Sequence, residues 1–227
     1  MQTPVSKRIF EPPIVPVRAS DEERTIYFDL QSQLKQQFTD IWPDDSLART
    51  VVVVPSLSLD EGMAEKIAGH HHYEERLLCL LMLLRKPRTR LIYVTSHAID
   101  PSIIDYYLHL LPGIPGRHAR ERLSLLNCND TSTKALTAKI LERPRLIERI
   151  RQAIPLGVSA HLVCFNATSL ERSLAVQLGI PMFATNPDLL YWGTKSGSRR
   201  IFKEAGVGLP EGFENVSNEQ ELIQALV

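Results

Sequence analysis

Three cations stand close together in Tyr191-Trp192-Gly193-Thr194-Lys195-Ser196-Gly197-Ser198-Arg199-Arg200, and Lys195, Arg199 and Arg200 supply positive charge suited to a polyphosphate. The segment continues as an amphipathic helix that turns Ile201, Phe202 and Ala205 inward, stops at Gly206 and enters a proline-bounded turn at Pro210. A solvated basic helix face would show the same pattern. A second group consists of short polar residues that follow β-branched runs: Ser56 and Ser58, Ser96 and His97, Asn129 and Asp130, Asn166 and Thr168. Residues of these types can hydrogen-bond a ligand, and they also serve as caps and turn formers. From them, Ser56, Ser96, Asp130, Asn166 and Thr168 are taken as candidates for a substrate or ligand crevice.

Other chemistries are argued against. Pro55-Ser56-Leu57-Ser58-Leu59-Asp60 contains no glycine, so it lacks the close backbone approach of a dinucleotide fingerprint, and the P-loop pattern is missing as well. No Gly-x-Ser-x-Gly elbow exposes a nucleophilic serine, and no catalytic residue is assigned. His70, His71 and His72, with Glu74 or His97, invite a metal reading. Three adjacent residues project in different directions, however, so the run reads as a His-rich loop and helix start and no metal ligand is assigned. Glu74, Glu75 and Arg76 read as a solvated or locally paired first turn, with acids favoured there by the helix dipole.

The elements that must position these groups follow from periodicity. After a proline-punctuated arm, Asp21 to Phe38 places Ile26, Leu30, Leu34 and Phe38 on one helical stripe. From Thr50 short β-branched runs alternate with longer periodic segments, the form of repeated βα units. The predicted strands are Thr50 to Val54, Arg90 to Thr95, Leu123 to Cys128, His161 to Asn166 and Met182 to Thr185. Several are apolar on both faces, as in a parallel sheet covered by helices on each side. Ser58 with Glu61 and Thr168 with Glu171 form capping boxes, while Asp100-Pro101 and Asn186-Pro187 start helices and Gly179 and Gly206 stop them. Glu74 to Arg85 is apolar nearly all round and should be deeply buried. Leu170, Leu174 and Leu178 form a stripe, and Pro144 divides Lys134 to Ile154 into two helices with Leu146, Ile147, Ile150 and Ile154 inward. The inferred fold class is α/β: a Rossmann-like, doubly wound, mainly parallel sheet. In such sheets the crevice lies beyond the carboxyl ends of the strands, which selects the polar residues above.

Composition sets the outer bounds. The chain has 227 residues, 44% apolar and 23% charged, enough for a substantial core. Its 26 Lys and Arg balance 26 Asp and Glu, so no overall positive field exists to gather nucleic acid or anionic lipid. Cys79, Cys128 and Cys164 sit in apolar runs and read as reduced core thiols. Met1 to Arg18 is no secretory signal, and the longest apolar run, Leu77 to Leu84, is far shorter than the roughly 20 residues of a spanning helix. A cytoplasmic protein is expected, with neither a nucleic-acid nor a membrane partner.

The stretches "VVVVPSLSLD", "HHYEERLLCLLMLLRKPRTRLIYVTS", "IIDYYLHLLPGIP", "LTAKILERPRLIERIR" and "GTKSGSRRIFKEAGVGLPEGF" together cover nearly all of the chain from Arg49 onward. They resemble the pre-ATP-grasp domain and the opening of the ATP-grasp domain in the family of pheganomycin-type peptide ligases and IQ motif-containing protein H. The resemblance implies an N-terminal arm and helix over residues 1–48, a pre-ATP-grasp domain over 49–193 and the opening segment of an ATP-grasp domain over 194–227. It implies ATP-dependent carboxylate–amine ligation through an acyl-phosphate, with ATP and Mg2+ in the complete enzyme and small carboxylate and amine substrates. Lys195 matches the lysine that approaches ATP phosphates, and Arg199, with Ser196 and Arg200, lies beside it. The glycine-rich lid, the adenine-contacting strands and the late magnesium-binding residues of such enzymes have no counterpart after Phe213. The chain is therefore expected to be catalytically incomplete alone and to need a C-terminal ATP-grasp segment, in cis or as a separate chain. A homo-oligomer stays open. The alternative is a stand-alone small-molecule-binding or protein-interaction α/β module without catalysis, and a Rossmann-type transferase using a nucleotide-linked donor ranks third.

Overall fold

A computed structural model describes residues 20–58, 66–214, 216 and 218–226. The N-terminal arm and Glu61 of the Ser58 capping box lie outside them. The described residues divide into two compact units, one ending at Pro187 and one beginning at Asp188.

The first unit is built on β1 (Arg49–Val54), β2 (Thr89–Thr95), β3 (Leu123–Asn127) and β4 (Ser159–Cys164). They form one all-parallel sheet in the order β3-β2-β1-β4. In β1 every residue is buried, which is why its sequence is a valine run rather than an alternation. Val51, Val53, Leu91 and Tyr93 belong to a core under the 3-10 helix His70–Arg85 and helices α2 (Pro101–His109) and α3 (Gly116–Arg120). Val52, Val54, Ile92, Val94 and Leu162 belong to the opposite core, under α4 (Leu136–Leu141), α5 (Pro144–Ala153) and α6 (Ser169–Leu178). The sheet is thus covered on both faces and doubly wound. Crossovers change face between β1 and β4, the switch point at which α/β sheets open a crevice.

Caps and stops fall where expected. Asp100 accepts from the Ser102 amide at 2.8 Å, Thr168 and Glu171 complete a capping box, and Gly179 closes α6 with φ of 68°. Pro144 opens α5, whose Leu146, Ile147 and Ile150 are buried.

Four expectations are corrected. Helix α1 (Asp21–Gln36) buries Tyr27 and leaves Ile26 40% exposed, while Leu30, Leu34 and Phe38 of the predicted stripe are half-buried. Gln31 and, just beyond the helix, Gln37 share this face and reach backbone carbonyls of Met182 and Ala160. The segment His70–Arg85 is a 3-10 helix, not an all-round apolar α-helix. Its period of three aligns Leu78, Leu81 and Leu84 in one buried row and turns Cys79 outward. Cys79 is therefore no core thiol, whereas Cys128 is buried. The predicted fifth strand is reduced to one parallel bridge between Leu162 and Met182. Met182 instead gives its outward N–H and C=O to the Gln31 carboxamide, at 2.7 and 2.9 Å.

The amino ends of the strands are fastened by two arginines. Arg49, 1% exposed, donates to the carbonyls of Trp42, Asp44 and Leu47. Arg122 donates to those of Leu84, Lys86 and Thr89.

The boundary falls at the first residue of a 3-10 turn (Pro187–Gly193), and the second unit continues through α7 (Lys195–Glu204) and α8 (Glu219–Leu226). Thr194 caps α7 by accepting from the Gly197 amide at 3.0 Å, and Gly206 follows it with φ of 69°; Ile201, Phe202 and Ala205, expected to turn inward, are exposed. Asn218 accepts from the Glu221 amide at the start of α8.

Candidate functional site

At the switch point the polar residues bind one another. The Thr137 amide donates to Ser56 Oγ at 3.1 Å, and Ser56 Oγ lies 2.6 Å from Ser58 Oγ. Ser58 Oγ in turn donates to Glu171 Oε1, so the serine pair reads as a directed chain from amide to carboxyl group. The Ser58 amide donates to Asn166 Oδ1 at 3.1 Å, which ties the β1 loop to the β4 loop. Glu171 Oε2 also accepts the Thr168 amide at 2.9 Å and its hydroxyl at 2.5 Å. Ser56 and Glu171 are fully buried and Thr168 is nearly so, as a buried carboxyl group requires of its partners.

A second network closes the end of β2. Ser96 donates its amide to Glu74 Oε2 at 2.5 Å and its hydroxyl to Glu74 Oε1 at 2.6 Å. Lys139, 1% exposed, donates to Ser96 Oγ at 2.9 Å and to the carbonyls of Asp130 and Ser132 at 2.9 and 2.7 Å. Burial pushes the Glu74 carboxyl above and the Lys139 ammonium below their ordinary ranges. Asp130 accepts from the Ser132 amide and pairs with Arg143 at 2.8 Å. The Ser132 hydroxyl and amide, with Arg143, hold its carboxyl at about 2. Glu74 is thus a buried partner of Ser96, not a solvated first-turn acid.

Beside this network a cavity of about 380 Å3 is lined by His71, Glu75, Thr95, His97, Asp100 and others. His97 Nδ1 lies 2.8 Å from the Ala98 carbonyl; a carbonyl only accepts, so Nδ1–H is the donor. Partial burial and the imidazoles of His72, His70 and His97 hold His71 below the usual histidine range. Among the described residues, no group of three or more His, Cys, Asp or Glu side chains is arranged to hold a metal ion.

The predicted crevice residues therefore separate into Ser56, Asn166 and Thr168 in one network and Ser96 and Asp130 in the other, each with internal partners. Lys195 and Arg199 belong to the second unit. Lys195 is exposed in the first turn of α7 and, among the described residues, makes no ion pair. Arg199 pairs with Glu214 at 3.0 Å and donates to the Pro210 carbonyl at 3.1 Å, fastening the glycine- and proline-rich turn to α7. Glu171 was legible only as a cap. No signal marked Lys139, a lysine flanked by apolar residues on a short helix.

The fold and its polar carboxyl-end loops define a Rossmann-like α/β domain with a basic helix start after it. No family model matches the chain. It is 30% identical over 184 residues to the L-propargylglycine--L-glutamate ligase of Streptantibioticus cattleyicolor, which covers 78% of this chain and 38% of that ligase. It is 26% identical over 197 residues to IQ motif-containing protein H of Danio rerio, covering 80% of this chain and 18% of that protein. The chain thus spans well under half the length of either relative. Among the described residues, no helix is long and apolar enough to cross a membrane.

Proposed function

We propose that these residues form the N-terminal part of an ATP-dependent carboxylate–amine ligase that works through an acyl-phosphate. The observation that carries this reading is the 184-residue likeness to a ligase that joins two amino acids by name. The α/β layer followed by a capped basic helix agrees with a pre-ATP-grasp domain leading into a nucleotide-binding segment. In this reading Lys195 faces the phosphates of ATP. Its exposure and lack of an ion pair among the described residues suit that role, whereas Arg199 is occupied in holding the following turn. ATP and Mg2+ belong to the complete enzyme, and catalysis needs a C-terminal ATP-grasp segment, in cis or in trans. Electrostatic stabilisation of the transferring phosphoryl group is the work expected of such a lysine.

The test is an assay of ADP release and hydroxylamine-trapped acyl product from amino-acid mixtures. It is run on this chain alone and on the chain joined to a downstream ATP-grasp segment. The joined protein is expected to turn over only with both ATP and a carboxylate, and Lys195→Ala to lower kcat/KM by about 100-fold, the scale of one lost electrostatic contact. Turnover by the chain alone would overturn the incompleteness, and no trapped product in either form would overturn the ligase.

A non-catalytic interaction module is the second reading. It is favoured by the exposed apolar residues of the second unit, among them Phe202, Phe213, Ile223 and Leu226.

A further inference from the structure

Three arginines of the first unit are held in two different ways. Arg49 and Arg122 spend their N–H groups on backbone carbonyls, as structural arginines do. Arg76 does not. Its side chain is exposed on the 3-10 helix, with the guanidinium carbon 4.6 Å from the centre of the Tyr73 ring and 4.2 Å from that of Phe165. Among the described residues its guanidinium has neither a hydrogen-bond acceptor nor an acid partner. The adjacent acid, Glu75, is taken by His72 Nδ1 at 2.7 Å. Phe165, 40% exposed, directly follows β4, the strand that flanks β1 at the switch point. A cavity of about 420 Å3 opens against Arg76, lined also by Gly69, His72, Tyr73 and Glu75.

Contact with two rings restricts a long side chain that would otherwise sample many rotamers, so less freedom is lost when an anion binds. It also orients the planar fork while leaving its N–H edge for a ligand with two oxygens in one plane. We propose that Arg76, positioned by Tyr73 and Phe165, anchors an oxyanion-binding site for the carboxylate or phosphate group of a small ligand at the carboxyl end of β4. This site is built from residues of the first unit alone, and the inference does not depend on the ligase reading.

The experiment titrates the intact 15N-labelled chain with glutarate and, separately, with inorganic phosphate at constant ionic strength, following the Arg76 side-chain Nε–Hε signal and the Phe165 amide. Saturable shifts are expected. Arg76→Lys, which keeps the charge but loses the fork, should weaken binding about tenfold. Phe165→Leu, which keeps the arginine but loses one ring, should weaken it severalfold. Saturation by glutarate alone assigns a carboxylate ligand, by phosphate alone a phosphoryl group, and by both a general oxyanion; each supports the site. Linear, unsaturable shifts with both anions in the unmodified chain overturn it, as does an Arg76→Lys protein that binds like the parent.

Discussion

Lys139 and His161 show how much single buried groups decide. Lys139 donates to three oxygens at once, and one of them, Ser96 Oγ, itself donates to Glu74 Oε1. Replacing it by methionine keeps the volume and removes this donor from the buried Ser96 hydroxyl and the Asp130 carbonyl, while His70 Nε2 still reaches the Ser132 carbonyl, so Lys139→Met should destabilise the first unit by on the order of 3 kcal/mol. Urea unfolding checks this, and a double variant with Glu74→Gln should recover part of the loss if the two groups are coupled through Ser96. His161 lies in β4 against Phe38, Trp42 and Phe183, where burial pushes its imidazole from 6.5 down to about 4. The unfolded chain then binds a proton more readily than the folded one. The stability that His161 provides is complete above pH 6.5 and falls as pH drops, by up to about 3 kcal/mol, until about 4 where the folded imidazole is protonated too. His161→Leu should flatten the pH dependence of the urea midpoint across that window; an unchanged slope would place the proton elsewhere.

Elements were legible where one physical rule governs them. The valine run of β1 announced a strand buried on both faces, and Pro144, Thr168 with Glu171, and Gly179 announced helix boundaries, because backbone geometry and capping are local matters. The 3-10 winding of His70–Arg85 was not legible, since Leu77 to Leu84 is apolar at nearly every position and fits a period of three or of 3.6. The candidate site was legible in its placement but not in its partners. Ser56, Ser96, Asn166 and Thr168 stand at the strand ends as expected, yet what they touch depends on Glu171, Glu74 and Lys139, brought in from other elements. The start of α7 offers a sharper test. A Cβ on Gly197 would fall 2.0 Å from the Tyr191 carbonyl oxygen and 2.8 Å from its carbon. Helix propensity alone would make Gly197→Ala stabilising by roughly 0.5–1 kcal/mol. The clash reverses the sign, and a loss of about 1–3 kcal/mol is expected. Hydrogen exchange at Ser198, whose amide donates to the Thr194 carbonyl at 2.9 Å, should quicken about tenfold, in keeping with such a loss.

On the scale of the molecule, every residue in the two apolar cores precedes Pro187. A chain ending at Pro187 is therefore expected to keep a cooperative thermal transition and its α/β circular dichroism; a molten, non-cooperative product would show that the later residues help build the core. The Gln31 carboxamide bears on the molecule's behaviour in company. Beyond β4 the sheet could have offered the outward amide and carbonyl of Met182 to any passing extended chain, and one side-chain amide on α1 occupies both. A helix thus stands in for the missing neighbour strand, and that flank of the sheet is denied as a template for edge-to-edge aggregation.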